Sequence, residues 1–110
     1  MKTAIIYTRS ASPNVATIQN QISLCKLFAK LNGFKILQVY SDYPAFGIIK
    51  NRPALDEILN DLSNSEWDSI LILDPSKLST DPIQYINVQL KVNFAGKRII
   101  SITEQKEVLL

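Results

Sequence analysis

A three-layer, doubly wound α/β domain on a four-stranded, mainly parallel sheet is the fold this sequence predicts. Four short, β-branched apolar runs alternate with three helical patterns, giving a βαβαβαβ rhythm. Two of the runs, Ala4-Ile5-Ile6 and Ile70-Leu71-Ile72-Leu73, are continuously apolar rather than alternating, as central strands covered by helices on both faces require. With 110 residues, 46% of them hydrophobic, the chain can fill one core and not two.

The strands are expected at 3–8, 34–40, 69–73 and 98–103. The first helix carries Val15, Ile18, Ile22, Cys25 and Ala29 at three- and four-residue spacing, with Phe28 widening the stripe. Asn32-Gly33 supplies its stop. Arg52-Pro53 opens the second helix, because proline suits the first turn and holds the residue before it extended. Leu55, Ile58, Leu59 and Leu62 then form its apolar face, and it is expected to end near Ser63-Asn64. Thr80-Asp81-Pro82 caps the third helix, on which Ile83, Ile86, Leu90 and Phe94 recur as the face expected to pack on the sheet, until Gly96 closes it. The stretch from Tyr40 to Asn51, with Pro44 and Gly47, reads as a mobile loop at the functional edge.

Composition removes several function classes. A net charge of +2 is far below that of a free-standing nucleic-acid clamp. The single cysteine, Cys25, can form no internal disulfide, no CxxC or Cys/His spacing could hold zinc, and a reducing cytoplasm is the expected compartment. Cys25 lies on an apolar helix face and reads as a core residue. Histidine is absent, which excludes imidazole-based nucleophile activation and leaves chemistry to serine, cations and carboxylates. The apolar residues near Met1 are too few for a signal segment or membrane span. No metal or cofactor is expected, since GxGxxG and GxxxxGK[ST] motifs are missing and cations accompany Asp42, Asp74 and Glu104.

In an open parallel sheet ligands bind beyond the carboxyl ends of the strands. There the sequence places Arg9-Ser10-Ala11-Ser12, Asp42 and later Arg52, Asp74-Pro75-Ser76-Lys77, and Thr103-Glu104. Arg9, Arg52 and Lys77 arriving from separate loops would make an anion pocket, and guanidinium forks match phosphate oxygens. Each residue also has a plain structural reading. Arg9 could pair with Asp42 or Glu104, Arg52 could cover apolar surface, and Lys77 could be a solvated loop lysine. Ser12-Pro13 has the form of a helix N-cap followed by proline at N1, and Ser10 could satisfy loop backbone groups. Trp67, Tyr43 and Phe46 read as packing residues rather than base-stacking ones.

Taken in order, Tyr7-Thr8-Arg9 with its serine-containing loop, Gln21, Gly33-Phe34, Tyr40-Ser41-Asp42, Gly47, Arg52-Pro53-Ala54-Leu55, Leu78-Ser79-Thr80-Asp81 and Ser101-Ile102-Thr103-Glu104 span nearly the whole chain. This series resembles the N-terminal catalytic domain of serine recombinases of the resolvase/invertase type. The resemblance implies metal-free DNA strand exchange, with DNA as partner, in which a serine hydroxyl attacks a backbone phosphodiester and forms a phosphoserine link. Arginines would absorb the developing charge. Arg9 and Arg52 match two of the family's arginines. The family's nucleophile position holds Ala11, flanked by Ser10 and Ser12, and a one-residue slip of the loop would bring Ser12 to the attacking place. Where the family has Asp-Arg-Leu-x-Arg, this chain reads Ser76-Lys77-Leu78-Ser79-Thr80, so Lys77 and Thr80 stand at the remaining phosphate-contacting positions.

The expectation is one catalytic-like domain over residues 1–110 with weakened or absent activity, lacking the dimerising helix and DNA-binding module that usually follow in the family. The rival is a non-catalytic relative that keeps the fold for protein contacts, pairing with an intact recombinase or regulating one, and a homo-oligomer is the other protein partnership expected. A small anion-binding regulator of the flavodoxin-like type is a third reading.

Overall fold

The structure, a computed structural model, describes residues 2–11, 14–43 and 52–104. Strand β1 (Lys2–Arg9) is followed by α1 (Val15–Asn32), β2 (Phe34–Asp42), α2 (Pro53–Asn60), β3 (Ser69–Ile72), α3 (Pro82–Phe94) and β4 (Arg98–Ser101). Short 3₁₀ turns at Leu62–Asn64 and Pro75–Lys77 link the elements on either side of β3. The sheet order is β2-β1-β3-β4 and all three pairings are parallel. This is the expected doubly wound architecture.

Strand parity divides the core into two layers. Ile5, Tyr7, Ile70 and Ile72 face Leu55, Ile58, Val88 and Val92 of α2 and α3. Ala4, Ile6 and Leu71, on the opposite face, meet Cys25 and Ala29 of α1. The side-chain alternation of a strand makes the two sets exclusive. Both central strands are therefore buried on both faces, which accounts for their uninterrupted apolar runs.

Element ends follow local chemistry. Gly33 takes a left-handed φ of 75°, and its N–H donates to the Ala29 carbonyl, closing α1. The cap of α1 is Asn14, whose side chain accepts from the Ala16 N–H, so the capping role expected of Ser12 falls two residues later. At the end of α3, Gly96 has φ 79° and the Lys97 N–H donates back to the Val92 carbonyl, a Schellman closure. β2 extends through Tyr40 to Asp42, residues expected in the irregular stretch, because they pair with Tyr7, Thr8 and Arg9. Residues 44–51 of that stretch lie outside the described residues. α2 stops at Asn60, and Leu62 is buried from the 3₁₀ turn that follows.

Two helix faces differ from expectation. On α1, Val15 is exposed and Ile22 only half-buried, while the polar Gln21 is fully buried. On α3 the residues turned to the sheet are Val88 and Val92, with Tyr85 beside them, and the expected stripe of Ile83, Ile86, Leu90 and Phe94 faces away from it. α3 is apolar on both sides, and periodicity alone does not choose between two stripes.

Cys25 is fully buried, and burial pushes its thiol up to about 12. Its reaction with a disulfide reagent at pH 8 is therefore expected to be slower than that of a free thiol by more than 100-fold. The rate should rise to the free value across the urea unfolding transition. Fast labelling of the native protein would show that α1 does not seal this face.

Candidate phosphate-binding site

Arg9 ends β1 on the same side as Ile5 and Tyr7, so strand parity carries it toward the α2/α3 face. Its backbone is clamped by one buried side chain: the Arg9 N–H donates to Gln21 Oε1 at 3.2 Å and Gln21 Nε2 donates to the Arg9 carbonyl at 2.8 Å. A buried carboxamide makes sense on the apolar face of α1 because both its ends are satisfied there.

Arg52 immediately precedes Pro53, the first residue of α2, and its own side chain does not cap that helix. The cap comes from the end of β2. Buried Asp42 accepts from the N–H groups of Ala54 and Leu55 at 2.9 and 3.0 Å, and from the Tyr7 hydroxyl at 2.8 Å. One carboxylate thus ties β1, β2 and the start of α2 together. Burial first, then the hydrogen bond to Asp42 and its negative charge, raises Tyr7 well above the usual phenol range and keeps it a neutral donor.

The Arg52 guanidinium is held below its usual value, chiefly by desolvation and further by repulsion from Arg9, against partial support from Tyr7 and Asp42. It stays charged, since arginine does not lose its proton in proteins. Its Nη1 is buried with no hydrogen-bond partner among the described residues. Arg9 forms no ion pair with Asp42 or Glu104.

Arg9 and Arg52 both line one cavity of about 590 Å³, whose walls also include Ser79, Thr80, Gln84 and Lys91. Two carboxylates reach it. Asp81 caps α3 by accepting from the Ile83 N–H at 3.0 Å, and Asp56 lies in the first turn of α2. Ser79 is committed to the turn: it donates to Gln84 Oε1 and accepts from the Asp81 N–H. A second cavity of about 370 Å³, beside Tyr40 and Trp67, contains Asp61 and Glu66 and no cation, so anions have no reason to enter it.

Of the residues singled out in the sequence, Arg9, Arg52 and Thr80 share the cationic cavity. Lys77 sits half-buried in the turn capped by Asp74 and is not on that wall. Ser10 is half-buried, and its N–H donates to the Asp42 carbonyl at 3.1 Å; it too is off this wall. Ser12 lies outside the described residues. Among the described residues no carboxylate, cysteine or histidine cluster could hold a metal ion, and no helix is long and apolar enough to cross a membrane. Trp67 is buried in the α2/α3 layer and Tyr43 is exposed; Phe46 falls outside the described residues. The sequence placed Asp42 at the strand ends as a possible partner of Arg9, not as the cap of α2, and gave Gln21 no role beyond its place in the resemblance. The signal for both was a polar residue where an apolar neighbour was due.

The domain is an all-parallel α/β sheet with Arg9 and Arg52 lining one cavity beyond its carboxyl edge, the edge at which such folds take their ligands. The chain belongs to the resolvase family: residues 4–108 match the family described as Resolvase, N terminal domain. Solved structures agree. The N-terminal catalytic domain of TP901-1 integrase superimposes with a TM-score of 0.82 at 25% identity, covering 94% of this chain and 78% of that one. A resolvase family site-specific recombinase from Streptococcus pneumoniae gives 0.87 at 19% identity, over 94% and 74% of the two chains. The C-terminal catalytic domain of ISC1926 TnpA, an IS607-like serine recombinase, gives 0.77 at 22% identity, over 97% and 77%. At the lower identities the likeness is one of fold. No curated protein sequence matches significantly.

Proposed function

We propose that this chain is a serine recombinase-type domain that holds a DNA backbone phosphodiester between Arg9 and Arg52, with strand cleavage by Ser12 slow at most. The observation that carries this reading is that Arg9 and Arg52 line one cavity, and that one Arg52 donor is buried with no partner among the described residues. Bringing two cations together and desolvating one is unfavourable, and an anion held there would offset the part of that cost that Asp42 and Tyr7 leave. The family match, and the catalytic domains it superimposes on, supply DNA as the source of that anion and recombination as the process.

Slow chemistry follows from the departures. Ala11 occupies the place that the resemblance gives to the nucleophile, and Lys77 and Thr80 stand where it gives arginines. Losing one such donor costs roughly a hundred- to a thousandfold in rate, so the two changes together cost ~10³–10⁵. Ser12 is the hydroxyl one residue from the expected place. Ser10 is the second choice, and Thr80 an added phosphate contact. Ala11 equally favours a second reading, a non-catalytic member that binds DNA or a recombinase without cutting.

Incubation with a suicide duplex that traps covalent intermediates separates these readings. A protein–DNA adduct lost in Ser12→Ala supports slow catalysis. An adduct that survives Ser12→Ala moves the nucleophile elsewhere, and DNA binding without any adduct assigns the non-catalytic role. Absence of DNA binding would overturn the phosphate site itself.

A further inference from the structure

We infer that the cavity between β2 and the end of α2 is a binding site for an organic cation carried on an apolar stem, an alkylammonium or guanidinium group. Its volume of about 370 Å³ lies at the lower end of the range for small-ligand sites. Its lining divides by depth. Ile5, Ile58 and Trp67 are buried, and Asp61 and Glu66 are exposed at the mouth. An apolar floor under an acidic mouth fits a ligand whose stem leaves water while its charge stays at the surface.

Several features give the mouth one sign of charge. The side chains of Asp61 and Glu66 form no hydrogen bond or ion pair among the described residues, so both carboxylates are available to a ligand. α2 ends beside the cavity with no basic residue in its last turn, and the negative end of its dipole adds to the carboxylates. No lysine or arginine of the described residues lines the wall. The Tyr40 hydroxyl registers this field: it is held above its ordinary value by burial first, and then by the negative charges of Glu57 and Asp61. The rings of Tyr40 and Trp67 add faces that attract cations. Trp67 already takes one cation in this way. Lys97 Nζ stands 4.6 Å from the centroid of its ring and donates to the carbonyls of Ser65 and Trp67, and Lys97 is not part of the cavity wall.

Other ligand classes fit less well. An anion would meet two carboxylates and a helix C-terminus. A bare metal ion would have to exchange its water for an apolar floor, and no group of three or more metal-ligating side chains stands together among the described residues. A neutral apolar molecule would gain nothing from the charged mouth.

Trp67 is the only tryptophan in the chain, so its fluorescence reads the site directly, in the full chain and without DNA. Pentylammonium is expected to change that emission saturably with a Kd of about 1 mM, the affinity open to a ligand of so few atoms. Pentanol, which has the same stem and no charge, should bind about tenfold more weakly, the worth of two exposed ion pairs. The double variant Asp61→Asn with Glu66→Gln should weaken pentylammonium binding by the same factor while leaving the circular dichroism unchanged, since both positions are exposed. A capped tripeptide with a central lysine separates the sources of the cation. Binding tighter than that of pentylammonium assigns it to a protein side chain, and binding no tighter assigns it to a free amine. No saturable change with pentylammonium, equal binding of pentanol, or a folded double variant that binds like the parent would each overturn the inference.

Discussion

Asp42→Ala is expected to destabilise the domain by about 3 kcal/mol, a fall in melting temperature of roughly 15 °C. The carboxylate accepts three hydrogen bonds inside the structure, two from the opening N–H groups of α2 and one from the Tyr7 hydroxyl. Removing it costs α2 its cap, worth about 1 kcal/mol. It also leaves a fully buried phenol without an acceptor, a penalty of roughly 1–3 kcal/mol. Tyr7→Phe removes only the donor and leaves Asp42 its two amides, so it should cost about 1 kcal/mol. The double variant should be less destabilised than the sum of the singles, because both act through one network. Thermal and urea unfolding of the four proteins measures this cycle. An Asp42→Ala protein as stable as the parent would mean that α2 does not depend on β2 for its first turn, and Arg52 would then lose its fixed position.

How far the sequence reveals this molecule depends on which forces act locally. The strands were legible because burial on both faces erases alternation, as in Ile70-Leu71-Ile72. The closure of α1 was legible because few residues other than glycine tolerate the left-handed turn at Gly33. The convergence of Arg9 and Arg52 could be anticipated from the rule that parallel strands deliver ligands at their carboxyl ends, with parity choosing the face. The packed face of α3 was not legible. Its two apolar stripes have similar periodicity, and only the tertiary packing seats Val88 and Val92 inward. Lys77 illustrates a second limit. It follows a strand where Arg9 ends one, but Asp74 turns the chain into a 3₁₀ helix there, and the direction of one short turn decides which loop residues reach the cavity. The Asn14 cap shows a third, since Ser12-Pro13 satisfies the same local preferences two residues earlier.

Arg52→Gln carries the largest functional effect: DNA affinity should fall about 10- to 100-fold, the value of one bidentate, charge-assisted phosphate contact. Loss of one such contact should also lower the slope of log affinity against log salt by about one. Arg52→Lys keeps the charge but not the planar fork, so it should restore the salt slope while recovering only part of the affinity. Stability should move the other way. The guanidinium is desolvated, repelled by Arg9, and has a buried donor with no partner among the described residues, so replacing it should leave the melting temperature unchanged or raised. That opposition separates a ligand-binding arginine from a structural one. A structural residue would lose stability first and binding only through it. Fluorescence anisotropy with a short labelled duplex over a salt series, read beside thermal melts of the same proteins, makes the comparison. If Arg52→Gln binds like the parent at every salt concentration, or melts substantially earlier, the cavity between Arg9 and Arg52 is not where the phosphodiester is held.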